Sequence, residues 1–210
     1  RYEVARRTEE LERSQWLLHR TQRIATVGGW QYDVRTGEMT WTREVYRIHG
    51  VPEDYNPNAI DADLGFYAES HRKLLEHSFR SAVDKGKPYD IEAPFQAADG
   101  KAKWVRTAGI PEMQDGQVVR VVGHIMDITD LHKAQEALAA SERRYRKLYE
   151  EAPVGIFTTD STGRVHAMNP SMAHILGFDS PQDALADYRD LASQVYVDPA
   201  RRRDFVNQLE

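Results

Sequence analysis

An internal repeat constrains this chain more than any other feature. Residues 27–50 read VGGWQYDVRTGEMTWTREVYRIHG and residues 154–177 read VGIFTTDSTGRVHAMNPSMAHILG. Val27 and Val154, Gly28 and Gly155, Asp33 and Asp160, Ile48 and Ile175, and Gly50 and Gly177 match at a constant offset of 127. The turn around Gly37 and Gly163 carries one residue of slip. Similarity at a fixed offset marks one folding unit used twice. A charged helical stretch precedes each copy, so the order is helix, domain, helix, domain. The second copy is expected to stop at Glu210 before its last three strands, with its long helix beginning near Asp198.

The pattern between these landmarks predicts the elements. Over residues 1–26, Val4, Leu11, Leu18 and Ala25 recur every seven positions, with Leu17 and Ile24 beside them. This reads as a polar helix, either a half-filled coiled coil or a cap on the next domain. At Gly28-Gly29 the period changes to two, and Trp30 and Tyr32 alternate with polar residues as in a strand. A turn at Thr36-Gly37, a strand from Met39 to Trp41 and a short helix closed by Gly50 follow. Ser70 is a candidate cap for a longer helix through Lys85, with Leu74, Leu75, Phe79, Ala82 and Val83 on one face. Three extended stretches come next, Tyr89–Gln96, Lys101–Ile110 and Gln117–Ile128, joined by Asp99-Gly100 and Asp115-Gly116 turns. Pro94 cannot donate to a ladder, which places its strand at a sheet edge. Residues 130–152 are again helical, with a seam of Leu131, Ala134, Leu138, Ser141, Tyr145, Leu148 and Ala152 spaced alternately three and four apart.

Composition excludes several classes of function. Twenty-eight basic against 33 acidic residues give a net charge of −5, without the excess of cations a nucleic-acid binder carries. No apolar run has the length of a membrane span, and no signal peptide opens the chain. There are no cysteines, which removes disulfides and thiolate chemistry. The mean hydropathy of −0.67 fits a chain with much solvated helix. Eight histidines are scattered without a metal-type pair on one helical face, so no metal site is expected. There is no glycine-rich phosphate loop, no G-x-S-x-G, no phospho-acceptor histidine motif and no cyclase motif. This stretch is therefore expected not to be an enzyme.

The space between sheet and helices is the default ligand site. By strand parity Trp30, Tyr32, Ile91, Phe95, Trp104, Val121 and Ile125 face it, joined by Tyr46, Ile48, Leu75 and Phe79 from the helices. These side chains either line a ligand cavity or fill a dry core. On the other face of the last strand, Val122, His124 and Met126 form a partner surface or lie under the N-terminal helix. Asp127 and Thr129 stand where that strand ends and the helix begins, and are the candidate signal relay. Thr129 or Asp130 can cap the helix. Leu131, Ala134, Leu138, Tyr145 and Leu148 are the candidate dimer seam.

The residues resemble a known family. The run Gly29-Trp30-Gln31-Tyr32-Asp33, then Trp41-Thr42, then Tyr46-Arg47-Ile48-His49-Gly50 is similar to a subgroup of PAS domains, the sensory modules of bacterial signalling proteins. Phe66-Tyr67-Ala68-Glu69-Ser70, Pro94-Phe95, Asp99-Gly100, Trp104-Val105-Arg106, Gly123 and Asp127-Ile128-Thr129 continue the match. Gly155-Ile156-Phe157, Asp160, Gly163, Asn169-Pro170 and Gly177-Phe178 carry it in the second copy. One departure is a missing residue after Ala68, where the subgroup has a proline.

The resemblance implies an α+β fold, a five-stranded antiparallel sheet in order 2-1-5-4-3 with helices on one face and long helices flanking it. The domains implied are an N-terminal helix 1–26, a complete PAS domain 27–129, a helical linker 130–152 and the first part of a second PAS domain 153–210. It also implies a cytoplasmic sensory and dimerisation module, a homodimer through the flanking helices. Its output domain, a histidine kinase or a diguanylate cyclase or phosphodiesterase, would lie elsewhere on the polypeptide. The alternative is a ligandless scaffold for protein–protein contact. Photoactive flavin relatives use a cysteine and a last-strand glutamine; here there is no cysteine and Ile125 stands at the glutamine position. Haem relatives use a histidine on the long helix, for which His71 is the only candidate, read here as a helix-terminal residue near solvent. No cofactor is expected, and the protein is expected to be colourless.

Overall fold

The computed structural model describes residues 7, 13, 16, 17, 20–57, 64–160 and 164–187. Compactness divides the chain into two units, 1–134 and 135–210. Most of the N-terminal heptad positions, Val4, Leu11 and Leu18 among them, and everything beyond residue 187, lie outside the described residues. Residues 7, 13, 16, 17 and 20–24 are helical.

In the first unit, strands β1 (Val27–Asp33) and β2 (Glu38–Trp41) lead into helix α1 (Arg43–His49) and then helix α2 (Glu69–Lys85). Strands β3 (Tyr89–Gln96), β4 (Ala102–Gln114) and β5 (Gln117–Asp127) follow, and helix α3 (Thr129–Glu150) begins at the end of β5. The five strands form one antiparallel sheet in the order β2-β1-β5-β4-β3. β3 lies at an edge, where the missing N–H of Pro94 disturbs no ladder. The Asp115-Gly116 turn between β4 and β5 has φ of 51° and 80° at its two central residues, the left-handed pair a two-residue hairpin needs.

Two expectations change. β4 does not stop at Ile110 but continues through Pro111 to Gln114, paired with β5 around a bulge at Glu112/Met113. β3 begins opposite Gly109, so Pro111 lies beyond the β3 ladder on that side. Helix α2 starts at Glu69 behind Ala68, and no side chain caps it; the Ser70 hydroxyl instead meets His71 Nδ1 at 2.8 Å. Ala68 N–H donates to the Pro94 carbonyl, which ties the entry to the sheet edge and sets the start two residues earlier. Leu75 and Ala82 are buried and Phe79 and Val83 half-buried, whereas Leu74 is 50% exposed.

The second unit contains strands β6 (Phe157–Thr159) and β7 (Val165–Met168), paired antiparallel, and helices α4 (Pro170–Ile175) and α5 (Pro181–Asp187). It repeats the opening of the first unit bond for bond. In the first, Gly29 N–H donates to Thr42 Oγ1 (3.0 Å) and Thr42 N–H donates to the Gly29 carbonyl (2.9 Å). In the second, Ile156 N–H donates to Asn169 Oδ1 (2.8 Å) and Asn169 N–H to the Ile156 carbonyl (2.8 Å). The helices close alike: Val51 N–H donates to the Tyr46 carbonyl, and Phe178 N–H to the Ala173 carbonyl. Gly28 and Gly155 let each strand touch its helix, since a Cβ on Gly28 would lie 2.6 Å from Val45 N and one on Gly155 2.7 Å from Met172 Sδ. All of these partners are 127 residues apart.

Thr42→Ala would leave the half-buried Gly29 N–H without its acceptor. The expected cost is about 1 kcal/mol, read as a lower urea midpoint with an unchanged m-value.

Candidate functional site

Inward-facing positions form rows across the sheet. One row runs Trp30, Gly123, Gly109 and Tyr89 through β1, β5, β4 and β3. Both central members lack side chains, and the Trp30 indole lies across them: a Cβ on Gly109 would sit 3.1 Å from its Cη2. Tyr89 comes in from the other side, near-parallel at 21° with ring centroids 6.4 Å apart. Phe79 of α2 packs on Trp30 and Tyr32 at 6.2 and 5.2 Å. The result is an aromatic floor beneath a cavity of about 510 Å³.

Of the expected pocket residues, Trp30, Tyr32, Leu75, Phe79 and Ile125 line this cavity. Ile48, Phe95 and Val121 are buried in the core, and Tyr46 and Ile91 pack against it, without reaching the cavity wall. The sheet thus supports both readings, with part of the set lining a space and part filling the core.

Trp104 is a correction. It pairs with Pro94 on the opposite face of the sheet, while Val105 and Thr107 point inward. Its indole is covered by His132 of α3, near-parallel at 10° with centroids 3.9 Å apart. The inward places on β4 hold a valine, a threonine and a glycine, so aromatic character alone assigned the wrong face.

Sequence reasoning missed Trp41, His49, Tyr67, Tyr89 and Thr107, all cavity-lining. Tyr89 was legible, because it shares the parity of its inward neighbour Ile91, whereas Thr107 was hidden by the inward assignment of Trp104. His49 was not, since it is polar yet only 2% exposed. Its Nδ1–H donates to the Val45 carbonyl at 2.8 Å, and its ring packs on Trp41 (4.4 Å, tilted by 31°) and meets Phe66 and Phe95 edge-on. A carbonyl has no proton to give, so Nδ1 carries one; in the neutral ring Nε2 is then an acceptor. His71 does not line the cavity.

At the far end of β5 a second cluster joins the sheet to α3. Lys103 Nζ donates to the Ile48 carbonyl at the end of α1 (2.9 Å) and pairs with Asp127 Oδ2 (3.3 Å). Asp127 Oδ1 accepts from Thr129 N–H (3.1 Å) and from the Thr129 hydroxyl. Thr129 Oγ1 accepts from Trp104 N–H of β4 (3.0 Å). The helix-start acceptor is therefore Asp127, and Thr129, one of the two expected caps, serves the strand instead. Burial pushes the Asp127 carboxyl up, but the Thr129 hydroxyl, its N–H and Lys103 together outweigh this and hold it below the ordinary aspartate value.

Along α3, Leu131, Leu138, Tyr145 and Leu148 are 57–68% exposed, and Ala134 is exposed too. On the outer sheet face Val122 is exposed and His124 and Met126 half-buried. Among the described residues no group of acidic and histidine side chains is arranged to hold a metal, and no helix is long and apolar enough to cross a membrane.

A five-stranded sheet in this order with helices over an aromatic cavity is the architecture of a PAS module. Residues 38–125 match the family model described as PAS fold and residues 143–209 the one described as PAS domain; the chain belongs to the PAS family. It is 29% identical over 148 residues to a blue-light-activated histidine kinase of Brucella ovis, covering 69% of this chain and 29% of that protein. It is 21% identical over 176 residues to a probable diguanylate cyclase, DgcE, of Escherichia coli, covering 82% of this chain and 16% of that one. The crystal structure of a sensory box histidine kinase/response regulator from Burkholderia thailandensis shares the fold, with a TM-score of 0.50 at 23% identity over 62% of this chain and 98% of that one. The chain spans less than a third of the length of either curated relative.

Proposed function

We propose that this chain is the cytoplasmic sensory and dimerisation input of a bacterial signalling protein, with a histidine kinase as the output. A change at the cavity passes to α3 and along it. The observation that carries this reading is the continuous set of bonds from α1 to α3. Val45 and His49 of α1 line the cavity, the Ile48 carbonyl holds Lys103, Lys103 holds Asp127, and Asp127 holds the first residue of α3. A shift of α1 by a fraction of an ångström must lengthen one of these bonds or move the helix start.

The exposed α3 seam supports a homodimer, because Leu131, Leu138 and Tyr145 recur every seven residues, with Leu148 three further on, and such a stripe gains burial against a second helix. A diguanylate cyclase output is the second reading, favoured by the Escherichia coli relative, whose match covers more of this chain than the kinase's does. The chain has no thiol to form a flavin adduct, and an isoleucine, Ile125, faces the cavity where those relatives carry an amide. The reading therefore includes no pigment.

Insertions in α3 of the full-length protein test it. Seven residues restore the seam and should preserve regulated output. Three or four rotate the downstream stripe to another phase and should lock output on or off. Regulation indifferent to insertion length would make α3 a passive tether and end this reading.

A further inference from the structure

We infer that the cavity of the first unit selects an organic cation, a small quaternary or tertiary ammonium compound. This deepens the sensory reading and rests on it. The first ground is the lining. Trp30, Tyr32, Trp41, Tyr67, Phe79 and Tyr89 all border the same space of about 510 Å³. Aromatic faces carry negative potential, and a desolvated cation over several of them is held without any specific hydrogen bond. A space of this size admits an ammonium group with several carbons attached.

The second ground is the charge at the lip. Helix α2 turns Leu75, Phe79 and Val83 toward the cavity and carries Glu76, Arg80 and Asp84 beside them, spaced four apart. Arg80 and Glu76 neutralise each other in an ion pair of 2.7 Å. Asp84 has no cationic partner among the described residues and is exposed at the mouth. Among the described residues, the charged groups that border the cavity therefore leave one uncompensated carboxylate. An anionic ligand would meet that carboxylate and the rings' negative faces together. A neutral ligand would gain from neither. Only a cation gains from both, and quaternary or tertiary ammonium groups suit the cavity because they lose little hydration on entry.

Calorimetric titration of the 210-residue protein with choline and with its uncharged carbon isostere, 3,3-dimethyl-1-butanol, tests this. Choline should bind at least about tenfold tighter than the alcohol, the worth of a desolvated cation–π contact. Asp84→Asn, an exposed and isosteric change, should weaken choline roughly three- to tenfold and leave the alcohol unchanged. Phe79→Leu keeps an apolar side chain but removes a π face, and should weaken choline more than the alcohol. Equal or tighter binding of the alcohol would overturn cation selectivity while leaving a ligand-binding cavity and the sensory reading in place. Choline binding that ignores both substitutions would place the cation elsewhere and overturn the inference. If neither compound binds, the inference also falls, and the insertion series still decides the sensory reading independently.

Discussion

Gly123→Ala is expected to destabilise the first unit by about 3 kcal/mol or more, the range of an overpacked core position that cannot relax. A Cβ at this position would overlap both the Ala108 carbonyl oxygen and the Trp30 indole. The carbonyl belongs to the neighbouring strand and cannot turn away without opening the β4–β5 ladder. The indole is confined between the sheet, Phe79 and Tyr89. Gly109→Ala is the informative contrast, since its methyl would meet only side chains, the Tyr89 ring and the tip of Trp30. It should cost clearly less. Trp30→Phe should recover part of the loss in a Gly123→Ala background, because it withdraws the ring but not the carbonyl. Urea unfolding followed by far-UV circular dichroism reads all three. A loss below about 1 kcal/mol for Gly123→Ala would mean that the indole does not lie over the glycine pair.

The same glycine shows what the sequence could reveal. Gly123 within a strand signals close approach by something, but not by what. Its partner becomes visible only when register places Gly109 on one side and Trp30 on the other. Local chemistry was legible wherever one residue type has one use. Pro94 belonged at an edge, Asp115-Gly116 made a tight hairpin turn, and Gly50 closed its helix in the left-handed region. The repeat was legible as an offset of 127, but the equivalent bonds of Thr42 and Asn169 were not, because the two side chains differ. Trp104 and Ser70 were misread for a common reason. Each was assigned from its own character, whereas its place is fixed by a distant element: α3 covers Trp104, and the β3 edge fixes the start of α2. Lys103 escaped notice because a lysine in a strand ordinarily points to water, and this one is 16% exposed between a helix carbonyl and a carboxylate.

Asp127→Ala is expected to lower the stability of the first unit by about 2 kcal/mol and to uncouple it from α3. The substitution removes the acceptor of the Thr129 N–H, frees the Thr129 hydroxyl that holds Trp104 N–H, and leaves Lys103 with the Ile48 carbonyl alone. Asp127→Asn separates these losses. Its amide oxygen can still accept from Thr129, but its NH2 faces the Lys103 ammonium, a donor against a donor. It should keep most of the helix-start bond and lose the ion pair. The pH dependence distinguishes them further. The carboxyl lies below its ordinary value when folded, so its contribution is fully present above the unfolded pKa of about 3.9 and is lost as pH falls through the lower folded value. The advantage of the wild-type protein over Asp127→Asn should therefore be constant near neutrality and shrink below about pH 4. In the full-length protein, Asp127→Ala should leave output no longer responsive to the cavity, and Asp127→Asn should retain part of the response. If Asp127→Ala lowers stability as stated yet regulation is untouched, the cluster is a structural clasp and the signal leaves the sheet by another route. The outer face of β5, where Val122 is exposed beside His124 and Met126, would then be the next place to cut.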